Sequence, residues 1–269
     1  MRNLLQIIFV LFAFQSKSQS KLGDVACVYV TTPDLDSSVA FYEKFGLNKI
    51  SSNTFPVPWA QVSDGSLLIM MRKDPKPYIG LTYYDNDLEG TVANLEKEGI
   101  VFDQKPKAGD PIKRFYIKSP DGFNIMLAPN LGGFAQPAGI TMLNMKQADF
   151  GLADKYPNKL CGVFGEFCQP VINLDQSIAF WKKLGFTVKA NEKQPYPHAI
   201  LTDGLMIIGL HQTVHFTYPA ITYFGVNTAA RIKQITDKGL PKPTEIQGKG
   251  NVMFQTFEGQ HLFIFSLGM

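Results

Sequence analysis

The chain has little of what marks several protein classes. It contains 3 cysteines in 269 residues, which excludes a scaffold built on several disulfides. Charged residues make up 18% of the sequence, and 26 Lys and Arg against 23 Asp and Glu give a formal net charge of +3. This balance carries no electrostatic signal for nucleic acid or for an anionic membrane, so we expect no nucleic-acid partner. Hydrophobic residues make up 45% of the chain, a proportion typical of a folded globular protein.

Signature motifs of several enzyme classes are also absent. The sequence has no G-x-S-x-G turn, no G-x-x-x-x-G-K-[ST] phosphate loop and no C-x-x-C pair. Hydrolase, nucleotide-binding and thioredoxin-like chemistry are therefore unsupported. We expect Cys27, Cys161 and Cys168 to be small buried residues, with a bridge between Cys161 and Cys168 as the alternative.

The first 20 residues have the pattern of a secretory signal peptide. Arg2 is followed by an apolar run over residues 4–14 and by small residues at Ser18 and Ser20. That run is shorter than the about 20 apolar residues that span a bilayer as a helix. We therefore expect removal of residues 1–20, a mature chain that starts near Lys21, a periplasmic or secreted location, and no stable membrane insertion after processing.

An internal repeat organises the rest of the chain. Residues 35–47, LDSSVAFYEKFGL, return as residues 174–186, LDQSIAFWKKLGF, at an offset of 139 residues. Asp64-Gly65 returns as Asp203-Gly204 at the same offset. A similarity kept in order along the chain indicates a tandem duplication. It predicts a first domain over 21–130, a linker over 131–162 and a second domain over 163–269.

Each half shows the same order of predicted elements. In the first half, a β-rich segment at 25–31 precedes an amphipathic helix at 35–45, which Asp34 or Asp36 caps and Gly46 ends. Three short strands follow, the last two joined by the turn residues Asp64-Gly65. The pattern restarts near Tyr78, and the second half repeats the whole course. The sequence therefore predicts an α+β fold of four βαβββ units.

Paired units of this kind, with the helix motif at 35–47 and SPDGFNIML at 119–127, resemble the vicinal oxygen chelate superfamily. This superfamily includes glyoxalase I, extradiol dioxygenases and bleomycin-resistance proteins. The resemblance implies two tandem glyoxalase-like domains, each with its sheet curled around a U-shaped cavity. It also implies, for enzymes of the superfamily, metal ligands at inward positions on the first and last strands of each unit.

The residues at those positions do not form a metal site of the superfamily's kind. In the first half they are Cys27, Ile69 or Met70, Ile79 and Met126. In the second half they are Glu166, Ile208 or Gly209, Pro219 and Phe263. Such a metal needs several nitrogen or oxygen donors, and the first half has no histidine. We therefore predict no metal and no other cofactor, with one divalent metal in the second domain as the alternative.

All four histidines lie in the second half, at His198, His211, His215 and His261. Strand alternation places His261 on the face of Phe263, toward the cavity that Glu166 also faces. Glu166 and His261 are therefore the candidate catalytic pair, since a carboxylate and an imidazole suit proton transfer. The alternative is that both are structural polar residues.

The other inward positions are mainly aromatic or sulfur-bearing, and such side chains suit a small, partly apolar molecule. The candidate ligand-binding residues of the first half are Cys27, Tyr29, Trp59, Met70, Tyr83, Asn124 and Met126. Those of the second half are Cys168, His198, Tyr223 and Phe263.

The leading hypothesis is an exported glyoxalase-like protein that binds a small, partly apolar molecule without a metal of the superfamily's kind. The alternative is an enzyme of the same superfamily, a lyase, isomerase or dioxygenase, with its active site in the second domain. A scaffold for protein contacts is a third hypothesis. The sequence predicts no oligomeric state.

Overall fold

The computed structural model describes residues 20–246 and 250–267. The predicted signal peptide therefore lies outside the described residues, apart from Ser20. Ser20 is buried, and its hydroxyl donates a hydrogen bond of 2.6 Å to Asp203 Oδ2. Within the described ranges, no helix is long and apolar enough to cross a membrane.

The first half forms one mixed sheet of seven strands. Its elements are β1 (Val25–Thr32), α1 (Leu35–Lys44), β2 (Asn48–Asn53), β3 (Trp59–Ser63), β4 (Leu68–Lys73), β5 (Ile79–Asp85), α2 (Leu88–Lys97), β6 (Phe115–Lys118) and β7 (Asn124–Pro129). The strand order is β2-β3-β4-β1-β5-β7-β6. Strand β1 runs antiparallel to β5 and parallel to β4, so the two units of this half meet at the centre of the sheet.

The second half forms an eight-stranded sheet with the same plan. Its elements are β8 (Val163–Pro170), α3 (Leu174–Lys183), β9 (Thr187–Glu192), β10 (His198–Thr202), β11 (Ile207–His211), β12 (Ala220–Gly225), α4 (Thr228–Asp237), β13 (Thr244–Glu245), β14 (Val252–Gln255) and β15 (His261–Ser266). The strand order is β13-β14-β15-β12-β8-β11-β10-β9. The α+β prediction is confirmed.

The second unit is the exception to the predicted βαβββ pattern. The repeated pattern predicts a strand near 100–104 after the second helix, but the structure has only an isolated bridge between Gln104 and Tyr116 there. Pro106 and Pro111 follow closely, and proline has no N–H to donate to a ladder. The expectation of four complete units was therefore wrong for this segment.

The repeated helix motif includes the residues that cap the start of each helix and the glycine that ends it. Asp34 Oδ1 accepts a hydrogen bond from Ser37 N at 3.1 Å, and Asn173 Oδ1 accepts one from Gln176 N at 3.0 Å. The cap of α1 is thus Asp34 rather than Asp36. After the two helices, Gly46 has φ +90° and Gly185 has φ +93°, a conformation that favours glycine.

The helix-bearing sides of the two sheets share one apolar core. The largest cluster of buried residues draws on both halves. Within it the rings of Phe45 and Phe254 lie 4.8 Å apart, and those of Phe123 and Phe167 lie 5.5 Å apart. Two smaller clusters lie on the opposite faces of the sheets. The two halves therefore pack as one body with a face of each sheet left outside the common core.

Acidic side chains at equivalent turns accept hydrogen bonds from the other half and so hold the two halves together. Glu258 accepts hydrogen bonds from the hydroxyls of Tyr42 at 3.0 Å and Ser38 at 2.9 Å, both on α1. In the reciprocal position, Asp121 of the first half accepts a hydrogen bond from Ser177 of α3 at 2.5 Å. Asp64 accepts one from the Tyr223 hydroxyl at 2.6 Å. The duplication thus produced matching contacts in both directions.

The linker also belongs to the packed body. Gln136 Oε1 accepts a hydrogen bond from Ala26 N at 2.8 Å, and its Nε2 donates to the Leu205 carbonyl at 2.9 Å. Two short 3-10 helices follow at Gln147–Asp149 and Ala153–Lys155.

All three cysteines are buried free thiols, so the alternative of a Cys161–Cys168 bridge is not realised.

We predict that Tyr42→Phe lowers the free energy of unfolding by about 1–3 kcal/mol, because it leaves the buried Glu258 Oε1 without its donor. Urea unfolding followed by circular dichroism measures this change. Tyr116→Phe is the matched control, since that hydroxyl makes no hydrogen bond to the described residues, and we expect a change within about 0.5 kcal/mol. Equal losses of unfolding free energy in the two variants would show that the Tyr42–Glu258 hydrogen bond does not hold the halves together.

Candidate functional site

Each sheet has a face opposite its helices, and we call these faces the first trough and the second trough. The first trough is lined by a cluster of buried residues, with four aromatic rings packed around it. The cluster contains Val25, Cys27, Tyr29, Leu68, Met70, Tyr84, Met126 and Ala128, and the rings are those of Trp59, Tyr78, Tyr116 and Phe134. The second trough includes Glu166, Cys168, Gly209, His211, Ala220 and Phe263.

Most candidate ligand-binding residues lie on the trough faces. Cys27, Tyr29, Met70 and Met126 belong to one buried cluster, and Trp59 packs against it. Alternation along β7 puts Asn124 on the face of Met126. In the second half, Cys168 and Phe263 share a cluster, and the strand pairing puts His198 opposite His211.

Tyr83 and Tyr223 do not face the troughs, and this part of the prediction was wrong. In β5, Thr82 lies opposite Cys27, so Tyr83 points to the helix-bearing side. Tyr223 lies in the shared core in the same way, and its hydroxyl reaches Asp64. Tyr84 takes the trough position in the first half. A one-residue shift of register exchanges the two faces of a strand.

The second trough contains a buried carboxylate–imidazole pair that differs from the predicted one. Glu166 Oε1 and His211 Nε2 lie 2.8 Å apart, and the two residues are 4% and 8% exposed. His261 instead stacks on Tyr218, with ring centroids 3.5 Å apart and ring planes 17° apart. The residue that the structure brings to Glu166 is therefore His211.

Each member of the pair has a second polar atom without a partner. Glu166 Oε2 and His211 Nδ1 are both buried and make no hydrogen bond within the described residues. Buried polar atoms are nearly always hydrogen-bonded in folded proteins, since an unpaired one carries its full desolvation cost. The pair therefore has an acceptor oxygen and a ring nitrogen whose hydrogen-bonding capacity is unused within the described residues.

Gly209 makes room for this pair. A Cβ at that position would lie 1.9 Å from Glu166 Oε2 and 2.7 Å from His211 Nε2, too close for any side chain. The equivalent residue of the first half is Met70, one repeat offset earlier. The second half therefore has no side chain where the first half has Met70, and it has a carboxylate at Glu166 where the first half has Cys27.

Aromatic rings surround the imidazole of His211. The His198 ring stacks on it, with centroids 5.7 Å apart and planes 6° apart. The ring centroids of Tyr196 and Phe216 lie 5.8 and 5.7 Å from that of His211. Burial raises the pKa of Tyr196 to about 12, and the charge of Glu166 adds to the rise. This hydroxyl is therefore a neutral hydrogen-bonding group near pH 7.

Sequence reasoning placed His211 among the four histidines but gave it no role. The pairing register of β11 with β8 is what shows that His211 lies on the same face as Glu166. His211 follows Gly209 by two residues and shares its face, while β8 runs parallel alongside. The equivalent residue in the first half is Arg72.

The residues at the superfamily's metal positions do not fit a metal ion. Cys27 is fully buried, and burial raises the pKa of its thiol although the backbone at Met70 and Thr82 offers hydrogen bonds to it. Met70, Met126 and Phe263 offer no oxygen or nitrogen donor, which leaves Glu166. Among the described residues, no group of three or more His, Cys, Asp or Glu side chains is arranged to hold a metal.

We predict that His261 titrates below the ordinary histidine value of 6.5, because burial lowers its pKa. The unfolded chain binds this proton more readily than the folded chain, so His261 costs stability as the pH falls through about 6.5. NMR titration of the ring measures the pKa directly. In the variant His261→Phe, stability should fall less between about pH 7 and about pH 5 than in the wild type. A ring pKa at or above 6.5 would contradict the placement.

Comparison with known proteins agrees with this architecture. Residues 22–127 match the model of the Glyoxalase/Bleomycin resistance protein/Dioxygenase superfamily. No curated protein sequence matches the chain.

Several solved structures share the fold over most of the chain. The 2,3-dioxygenase LapB from Pseudomonas sp. KL28 is 13% identical, with 94% of each chain covered and a TM-score of 0.57. The homoprotocatechuate 2,3-dioxygenase from Arthrobacter globiformis is 15% identical, with 93% of this chain and 81% of that chain covered and a TM-score of 0.55. The Mn(II)-bound glyoxalase from Novosphingobium aromaticivorans is 16% identical, with 92% and 83% covered and a TM-score of 0.55. The chain therefore contains a domain of the Glyoxalase/Bleomycin resistance protein/Dioxygenase superfamily at residues 22–127 and has that superfamily's fold in both halves.

Proposed function

We propose that the protein binds a small, partly apolar molecule in the second trough and uses the Glu166–His211 pair as the polar contact. The observation that carries this proposal is the pair of unpartnered buried atoms, Glu166 Oε2 and His211 Nδ1. A ligand with a hydroxyl or N–H group would donate to the carboxylate oxygen. That hydrogen bond would offset part of the free energy needed to bury the charge of Glu166.

The rest of the second trough favours a flat apolar body for this ligand. Phe216, Tyr218 and Phe263 pack around one another with ring centroids 5.7 to 6.4 Å apart. Burial raises the pKa of the Cys168 thiol, and the charge of Glu166 adds to the rise. Cys168 is therefore a neutral apolar lining residue rather than a nucleophile. Such a mixture of rings, sulfur and few polar atoms is typical of small-molecule sites.

We propose further that this binding needs no metal of the superfamily's kind, because Glu166 stands without other donors at the equivalent positions. The proposed site comprises Glu166, His211, Cys168, His198, His261 and Phe263. Cys27, Tyr29, Trp59, Met70, Asn124 and Met126 form the equivalent surface of the first trough.

An enzyme of the same superfamily is the second candidate, a lyase, isomerase or dioxygenase that acts in the second trough. The hydrogen-bonded Glu166–His211 pair favours it, since such a pair can transfer a proton to or from a bound molecule. Two of the similar structures are named as dioxygenases. For an enzyme, Glu166→Gln would lower turnover of a bound molecule about 100-fold or more at an unchanged melting temperature. For a binding protein, the bound molecule would be recovered unchanged.

We predict that phenol binds to the second trough and that anisole, which lacks the O–H donor, binds about tenfold or more weakly. All four histidines lie in the second half, so the ring signals of histidine in NMR spectra report on this site and not on the first trough. Phenol should shift the signals of His211 and His198 and saturate.

Glu166→Gln tests the proposed hydrogen bond, and Glu245→Gln is the matched control. In Glu166→Gln the amide oxygen stays with His211, and the NH₂ group takes the place of the accepting oxygen, so phenol affinity should fall about tenfold or more. Glu245 is exposed on β13 of the same sheet, and its variant should bind phenol normally. Equal binding of phenol and anisole, or normal phenol binding by Glu166→Gln, would overturn the proposal.

We also propose that the protein acts in the periplasm or outside the cell, because residues 1–20 have the pattern of a secretory signal peptide. Expression with the native leader should yield protein in the exported fraction. Its N-terminus, read by intact mass, should lie near Lys21. A washed-membrane fraction that holds the full chain with Met1 retained would show that this localisation is wrong.

A further inference from the structure

Two arginines face the first trough without a carboxylate partner. Arg72 lies two residues after Met70 on β4 and therefore shares its trough face. Arg114 is half-buried and lies immediately before β6, two residues from Tyr116, whose ring packs against the trough cluster. In the described part of the chain, neither guanidinium forms a salt bridge. Two half-buried cations therefore lie at an aromatic surface, with no carboxylate of the described residues within salt-bridge distance.

The two guanidinium groups act on the same part of the trough. Burial raises the pKa of Tyr29, and the charges of Arg72 and Arg114 oppose that rise. The same two charges oppose the rise that burial causes at Tyr84. Both charges therefore act on the Tyr29 and Tyr84 hydroxyls of the trough. An anion in this place would interact with both arginines.

An independent feature points to a hydrogen-bond acceptor at the same face. Gln61 is 3% exposed, and the β3–β4 pairing puts it beside Met70 on the trough side. Its Oε1 accepts a hydrogen bond from the Ser51 hydroxyl at 2.6 Å, which fixes the orientation of the amide. Its Nε2 is buried and has no partner within the described residues. This donor therefore lacks an acceptor, and a carboxylate oxygen would supply one.

The rings around the trough suit a flat molecule. Tyr78 meets Tyr29 edge to face at 5.8 Å. Phe134 of the linker meets Trp59 at 5.6 Å and Tyr84 at 4.9 Å, also edge to face. Edge-to-face walls of this kind favour an aromatic ring placed among them.

We propose that the first trough is a separate site for a small aromatic carboxylate. Arg72 and Arg114 would contact the carboxylate, since guanidinium groups match its two oxygens. Gln61 Nε2 would donate to it, and the aromatic walls would pack on the ring. This site is independent of the one proposed for the second trough. There, His211 replaces Arg72 and Glu166 replaces Cys27, so the two troughs prefer ligands of opposite hydrogen-bonding character.

Tryptophan fluorescence tests this proposal on the full chain. The protein has 2 tryptophans. Trp59 packs at the edge of the first trough, whereas Trp181 lies in the shared core. Benzoate should change the Trp59 emission to a saturating value. Benzamide, the uncharged analogue, should bind about tenfold or more weakly.

The variants Arg72→Met and Arg114→Met should each weaken benzoate binding about tenfold or more. Lys113→Met is the matched control, because Lys113 is the neighbour of Arg114 but pairs with Glu89 instead. It should bind benzoate normally. Arg72→Lys keeps the charge and loses the planar fork, so we expect an intermediate affinity.

Several results would overturn the proposal. These are no saturable benzoate binding at millimolar concentration, equal binding of benzoate and benzamide, or normal benzoate binding in a folded arginine variant. Arg72 lies on β4 and Arg114 lies just before β6, so if one variant does not fold, the other still tests the proposal. Glu166→Gln should leave benzoate binding intact while phenol binding falls, which separates failure of this proposal from failure of the one above.

Discussion

Burial of the helix-bearing faces of both sheets in one shared core governs the rest of the structure. Because Phe45 and Phe254, and likewise Phe123 and Phe167, meet across the two halves, each sheet has one face committed to the core. The strand registers then decide which side chains remain for the troughs. Acidic contacts such as Glu258 with Tyr42 hold the halves in this arrangement. Polar side chains can therefore change on the trough faces without altering the core.

The duplicated sheets have diverged at three equivalent positions that matter for binding. Cys27, Met70 and Arg72 in the first half become Glu166, Gly209 and His211 in the second. These changes are linked physically. The carboxylate needs the space left at Gly209 and needs a buried partner, which His211 provides. The first half keeps a side chain at Met70 and has a cation in place of the imidazole. One scaffold thereby presents two surfaces of different polarity.

Much of the fold could be predicted from the sequence because local signals repeat. The helix motif and the glycine after it recur one repeat offset later, and the structure confirms both. Of the two cap candidates, Asp34 and Asp36, the structure selects Asp34. The register of β5 and β12 could not be predicted. Both strands are buried on both faces and so lack an apolar–polar alternation. For this reason the prediction that Tyr83 and Tyr223 face the troughs is wrong. The Glu166–His211 pair depends on the alignment of β8 with β11, which no local pattern encodes.

Native mass spectrometry of the protein recovered from the exported fraction tests the central claim most directly, since it reports bound metal and bound organic molecule together. We expect an organic ligand of the second trough that is lost in Glu166→Gln, and no stoichiometric transition metal. A stoichiometric metal on the wild-type chain, removed by Glu166→Gln and accompanied by no organic ligand, would contradict it.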